Sequence, residues 1–314
     1  MIKKGVCSMA KKNKEGFKAA LYLFPALISI IIFVVLPMIY TIYISFTDLD
    51  QFTQGSAGFV GISNYIDVLT GEFSKVFLPV FAWTCIFAIA ITLGSFIVGL
   101  LLAMVLNNPN IKEAPVYKAI LILPWALPVA VAILSWQGLL NGTTGTINVL
   151  LQQLHIIDKP IKFLTDPLNA RLSLIFISVW LGFPYMMNVC LGSLAAIPDT
   201  YYEAAEIDGA SKLTQFIKIT LPSLTHTAYP LLITSFAFNF NNFGAAYLVT
   251  EGNPPKLGSP YAGYTDILAS VNYKLSTDQG KYAIGATLSI LVFILLATIS
   301  YIQMKASGQF KEVE

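Results

Sequence analysis

The sequence predicts an all-α integral membrane protein with six transmembrane helices. Hydrophobic residues make up 56% of the 314 residues and charged residues only 11%, whereas a soluble domain carries about 25% charge. The apolar residues gather in six long runs separated by polar, glycine- and proline-bearing stretches. Each run is about 20 residues or longer, enough to cross the roughly 30 Å hydrocarbon core as a helix.

Residues 1–18 hold six lysines and form a basic tail. The first span, about 21–46, is longer than a signal-peptide core and lacks a convincing small-residue cleavage site, so it is read as a retained helix. A polar loop over 47–76 carries Asp48, Asp50, Asp67 and Glu72. The second span covers about 78–106 and ends at the turn Asn107-Asn108-Pro109-Asn110. Pro124 and Pro128 should kink the third span, about 117–139. Residues 140–170 are polar apart from Val149–Leu154, which suggests an external loop with a short surface or re-entrant helix. The fourth span, about 171–196, contains Gly182 and Pro184, predicted to distort it. A polar loop over 197–222 leads to the fifth span, about 224–249. A Gly/Pro-rich loop over 250–280 precedes the sixth, about 282–304, and 309–314 form a short tail. Residues 19–308 thus read as one transmembrane domain.

Six spans put both termini on one side. Of the 19 Lys and Arg, twelve fall in the tails, the 107–118 loop and the 197–222 loop; seven fall in the three longer opposite loops. Positive charge marks the cytoplasmic face, so the termini and the 197–222 loop are expected there, in a multi-pass plasma-membrane protein.

Several chemistries find no support. Two well-separated histidines and three cysteines without pairing spacing offer no metal cluster, and no cofactor is expected. No GxxxxGK[ST] phosphate loop occurs, so this chain should not hydrolyse ATP itself. No paired carboxylates or Ser/His/Asp arrangement suggests an enzyme, and nothing points to nucleic acid. No Asp, Glu, Lys or Arg falls in the interior of the spans, which argues against an ion-coupled carrier.

The 197–222 loop has its own internal order. Thr200 and Glu203 have capping-box spacing, so a helix is expected to start there. Ala204 and Ala205 keep it slim, and Gly209 can take the left-handed conformation that ends it. A second short helix is expected from about Ser211 to Leu221, with Pro222 punctuating the start of the fifth span. Such a helix-turn-helix suits insertion into a groove on another protein; the alternative is an ordinary amphipathic connector.

The fifth span is unusually polar. Ser235, Asn239 and Asn242 sit at i, i+4 and i+7 and should share one helix face. Asn amides offer two donors and an acceptor, and phenylalanines at 236, 238, 240 and 243 surround them. That composition suits a hydroxyl-rich, uncharged cargo; the alternative is interhelical hydrogen bonding, worth about 1 kcal/mol per contact. On the fourth span, Gly182, Pro184 and Tyr185 make either a cavity wall or a packed kink.

Glu203-Ala204-Ala205, Gly209 and Ile219-x-Leu221-Pro222 resemble the signature loop of ABC importer permeases, with no departure from its pattern. The resemblance implies the type I importer (MetI-like) permease fold. It further implies that Glu203, Ala204, Ala205, Gly209, Leu221 and Pro222 belong to a coupling loop that docks into an ATPase subunit. Trp180–Met187, Ser235–Phe243 and Ala262–Leu268 are similar to the maltose/maltodextrin permease branch. That likeness implies a sugar site at Leu181, Gly182, Tyr185, Ser235, Asn239 and Asn242, with Leu181 added by resemblance alone. The implied partners are a second permease subunit, two cytoplasmic ATP-binding subunits and an extracytoplasmic sugar-binding protein. The implied cargo is a neutral oligosaccharide, maltose or maltodextrin first. Galactan-derived sugars or glycerol phosphate in the same importer class, or an ATP-independent secondary carrier, are the alternatives. One departure stands out: the large external insertion of the enteric maltose subunit has no counterpart in the 47–76 loop.

Overall fold

The computed structural model describes residues 21–108 and 110–306; the predicted tails, 1–18 and 309–314, lie outside them. Helix α1 (Leu21–Ser45) leads through a polar connection and α2 (Ser63–Thr70) to α3 (Ser74–Leu106). The third predicted span is broken into α4 (Ala114–Leu121), α5 (Leu123–Ala126) and α6 (Val129–Leu139). Its two prolines cause this. Pro124 opens α5, and Pro128 drives the preceding Leu127 to an extended ψ of 146° before capping α6.

Helix α7 (Thr146–Gln153) is the short surface helix expected in the external loop. Buried Asn148 pins it: its amide donates to the Ile161 carbonyl at 2.9 Å and accepts from the Ile161 N–H at 2.9 Å. Helix α8 (Pro167–Ala195) starts at Asp166, whose carboxylate accepts the N–H groups of Leu168 and Asn169. It runs on past Pro184 without a break, so the predicted distortion is absent from its helical run. Gly182 serves close packing instead, since a methyl group there would lie 2.6 Å from Ser95 Oγ.

After α8 come α9 (Asp199–Ile207) and α10 (Lys212–Gln215). A π turn over Phe216–Thr220 then runs directly into α11 (Leu221–Phe240). The fifth span ends there. Asn241 and Asn242 break the helix, and α12 (Phe243–Thr250) resumes beyond them. Helix α13 (Leu268–Tyr273) and a second π turn, Lys274–Asp278, lead to α14 (Tyr282–Ala306).

Helices α3 and α8 form the spine of the bundle. Small residues let their backbones approach, as membrane helices require where no hydrophobic force drives them together. A methyl at Gly94 would stand 2.8 Å from Val179, and one at Gly99 would stand 2.6 Å from the Met187 backbone nitrogen. Helix α11 packs against both. One hydrophobic cluster gathers Leu100, Ala103 and Leu106 with Met187, Cys190, Leu194 and Leu224 at the end that carries α9. Two others fill the opposite half, around Phe87, Ile133 and Ile177 and around Val80, Phe240 and Leu275.

The segment after α12 is more than a surface loop. It turns back into the bundle and is hydrogen-bonded there. The Arg171 guanidinium donates to the Tyr264 carbonyl at 2.7 Å and stacks 4.2 Å over the Trp83 ring. Trp83 Nε1 donates to the Thr265 carbonyl at 3.3 Å, and Thr84 Oγ1 accepts the Leu268 N–H at 3.0 Å. Fully buried Asp266 pairs with Lys274 at 2.8 Å and accepts from the Gly263 N–H and the Ser270 hydroxyl, both at 2.7 Å.

Candidate functional site: an exposed hairpin joined to a polar span

The hairpin of α9 and α10 owes its form to its fixed residues. Pro198 (φ −63°, ψ 133°) sets the extended residue before α9, and Asp199 supplies an acid to the first turn. The helix therefore starts one residue before Thr200, and no side-chain cap forms: the predicted Thr200–Glu203 capping box is not made. At the other end Gly209 takes φ +77°, as predicted. The Ala210 N–H reaches the Ala205 carbonyl at 2.8 Å, and the Gly209 N–H reaches Glu206 at 3.0 Å. These are the two bonds of a Schellman motif. The spacing from Ala205 to Gly209 is thus the spacing of a helix end.

Ser211 caps α10 by accepting the Thr214 N–H at 3.3 Å, and Glu206 and Lys212 form an ion pair that closes the turn between the helices. That pairing holds the Glu206 carboxyl below its ordinary value. Pro222 does not interrupt the chain. The π turn before it changes the hydrogen-bond register, with the Leu221 N–H bonding to the Phe216 carbonyl, and Pro222 falls in the first turn of α11.

The hairpin has an anchored root and an open tip. Tyr202, Phe216 and Ile219 pack against the Leu194–Leu224 cluster, and the Tyr202 hydroxyl lies 2.9 Å from Thr220 Oγ1. Glu203, Ala204 and Gly209 are exposed, and Ile207 is 87% exposed. A groove of about 420 Å³ runs between Ala204, Ala205, Ile219 and Pro222. The exposed Ile207 thus lies beside the slim Ala204-Ala205 face. Pro222 is exposed where it lines the groove, and Leu221 before it is exposed too.

The residues predicted to meet a cargo are distributed over three elements. Helix α8 carries Leu181, half-buried against a core cluster, Gly182 against Ser95, and Tyr185, 41% exposed. Helix α11 carries half-buried Ser235 and buried Asn239, joined by a 3.4 Å Nδ2–Oγ bond. Asn242 does not share their face, because α11 ends at Phe240; its side chain caps α12 by accepting the Ala245 N–H at 3.3 Å. The Asn-Asn pair before Phe-Gly-Ala was a helix-start signal, masked by the apolar residues around it.

Asn239 also donates to Thr92 Oγ1 on α3 at 3.1 Å, the interhelical bonding weighed as the alternative reading of this residue. Sequence reading missed Thr92 and its neighbour Ser95. Thr84, Thr92 and Ser95 fall within one face of α3 at about 100° per residue, and that spacing was the available signal. Among the described residues, the buried hydroxyls of Ser95 and Ser178 have no hydrogen-bond partner.

A bundle of apolar helices whose exposed hairpin continues into a polar-bearing helix has the architecture of a transport permease. The chain belongs to the family described as binding-protein-dependent transport system inner membrane component, whose model matches residues 7–309. It is 39% identical over 263 residues to the maltose/maltodextrin transport system permease protein MalF of Salmonella typhimurium, covering 82% of this chain and 51% of that one. The corresponding protein of Photorhabdus laumondii is 40% identical, with 82% and 50% covered. The chain therefore spans about half the length of the curated relatives it matches. Among solved structures, a chain of a bacterial ABC transporter involved in the import of the acidic polysaccharide alginate superimposes with a TM-score of 0.79. That match has 21% identity and covers 96% of this chain and 98% of that one. An inward-facing MetNI methionine ABC transporter matches with a TM-score of 0.53 and 14% identity, over 76% and 97%. The fold is that of ABC importer permeases.

Proposed function

We propose that this chain is one half of the transmembrane pathway of an ATP-driven importer for a neutral oligosaccharide, maltose or maltodextrin first, in a bacterial plasma membrane. The observation that carries this reading is the continuity of the α9–α10 hairpin with α11. The hairpin presents an open tip on the lysine-rich side, and its second arm runs unbroken through the π turn into the helix that holds Ser235 and Asn239. A partner ATPase dimer that closes on Glu203, Ala204 and Ala205 would move that helix directly. A second permease subunit completes the pathway, and an external binding protein delivers the sugar. The bundle alternates access between the two faces, with both termini cytoplasmic.

The proposed contacts Leu181, Tyr185, Ser235 and Asn239 carry no charge, while Gly182 packs against Ser95 and Asn242 caps α12 beside them. Their hydroxyl and amide groups match sugar hydroxyls, which supports a neutral cargo over an acidic one. The similarity to maltose/maltodextrin permeases supports the particular sugar.

Reconstitution with the partner subunits and binding protein tests the class. ATP-dependent uptake of maltose or maltotriose is expected, with none when ATP or the ATPase subunits are omitted. Uptake without ATP would establish a secondary carrier instead. Uptake of glycerol phosphate or of a galactan-derived oligosaccharide in place of maltodextrins would replace the cargo and keep the class.

A further inference from the structure

Asn239 is 7% exposed and Thr92 is 4% exposed, so the 3.1 Å bond from Asn239 Nδ2 to Thr92 Oγ1 is made away from water. Breaking it inside the bundle leaves a buried donor unsatisfied. A carboxamide is planar, with nitrogen and oxygen on opposite prongs. With the nitrogen bonded to α3 and to Ser235 Oγ, the oxygen is the prong that neither hydroxyl engages. Thr92 is β-branched, so few χ1 rotamers are open to it in a helix. Three residues on, buried Ser95 meets the flat side of Gly182. The same face of α3 thus spaces α11 through Thr92 and α8 through Ser95.

We propose that Thr92 is a positioning residue for the sugar site: it holds the amide nitrogen of Asn239 so that the carboxamide oxygen is the group offered to a cargo hydroxyl. The inference rests on the oligosaccharide reading of Ser235 and Asn239 given above. Thr92 itself touches no cargo. It fixes where the Asn239 carboxamide sits, with the oxygen left for a cargo that donates a hydrogen bond there.

The test uses the complete complex in proteoliposomes, with radiolabelled maltose and maltotriose as probes and phosphate release measured in parallel. Thr92→Val keeps the shape and deletes the acceptor. It is expected to lower sugar moved per ATP hydrolysed about fivefold, with ATP hydrolysis and the half-saturating concentration of loaded binding protein unchanged. Thr92→Ser should restore transport to within about twofold, since it returns the hydroxyl. In an Asn239→Ala background, Thr92→Val should add nothing. If Thr92→Val does not assemble, Thr92→Ala carries the same expectation. Unchanged transport in Thr92→Val beside impaired Asn239→Ala would overturn the positioning role alone. So would parallel loss of transport and ATP hydrolysis, or full additivity with Asn239→Ala. Unchanged transport in Asn239→Ala would overturn the sugar-site reading itself, and no ATP-dependent uptake of either probe by the wild-type complex would overturn both.

Discussion

The hydroxyls of Tyr202 and Thr220 lie 2.9 Å apart and tie helix α9 to the π turn at the root of α11. Tyr202 also packs on the Leu194–Leu224 cluster, so α9 is fastened to the bundle by both a polar and an apolar contact. Tyr202→Phe keeps the second and deletes the first. The lost hydrogen bond is worth about 1 kcal/mol. The expected result is an assembled complex whose ATP hydrolysis responds less to loaded binding protein, by about threefold. An unchanged ratio of stimulated to basal phosphate release would show that the bond transmits nothing.

The Asp266–Lys274 pair bears on stability. Asp266 is fully buried and Lys274 only 20% exposed. Removing one partner of a buried pair costs about 3–5 kcal/mol, because the other charge is left uncompensated. Lys274→Met should therefore lower the thermal unfolding temperature of the detergent-solubilised complex markedly. Lys274→Met with Asp266→Asn should recover part of the loss. Equal unfolding temperatures for wild type and Lys274→Met would mean that the pair stabilises nothing.

The Glu206–Lys212 pair gives the hairpin a pH dependence whose sign is determined. Lys212 lowers the Glu206 carboxyl below the ordinary glutamate value of 4.5. A lowered acid stabilises the folded form at pH values above its unfolded value, and that contribution disappears as pH falls through the folded value. Hydrogen-exchange protection of residues 206–214 should be flat from pH 7 to about pH 5 after correction for intrinsic rates, and should decline below that. Glu206→Gln should remove the decline. A decline that persists in Glu206→Gln would assign it to another group.

The sequence and the structure agree where the signal is local. The Ala205–Gly209 spacing became the two ends of one Schellman motif, and Pro124 and Pro128 broke the third span where their missing N–H groups require it. The α7 surface helix fell inside the loop expected to hold one. The fifth span was harder to read. Asn241 and Asn242 sit among phenylalanines, so a helical periodicity carries straight across them, and only the structure shows Asn242 turned to cap α12. Thr200 had the spacing of a cap, but Pro198 had already set the start of α9. The pairing of Asn239 with Thr92 spans 147 residues, and no local pattern reports a contact at that separation. The latch around Asp266, Arg171 and Trp83 was hidden likewise, because a Gly- and Pro-rich segment looks like surface loop until its partners on α3 and α8 are known.

The central claim is that the exposed hairpin couples an external ATPase to movement of α11, and Glu203→Lys tests it most directly. Glu203 is exposed in the middle of α9 and its side chain makes no hydrogen bond or ion pair among the described residues, so reversing its charge should leave the fold intact. The measurement is ATP-dependent uptake of maltotriose beside phosphate release, in proteoliposomes holding equal amounts of assembled wild-type or variant complex. The account predicts that uptake falls at least about tenfold, equivalent to about 1.4 kcal/mol or more of lost coupling, while the protein inserts and folds normally. Wild-type uptake by a well-expressed Glu203→Lys complex would contradict it.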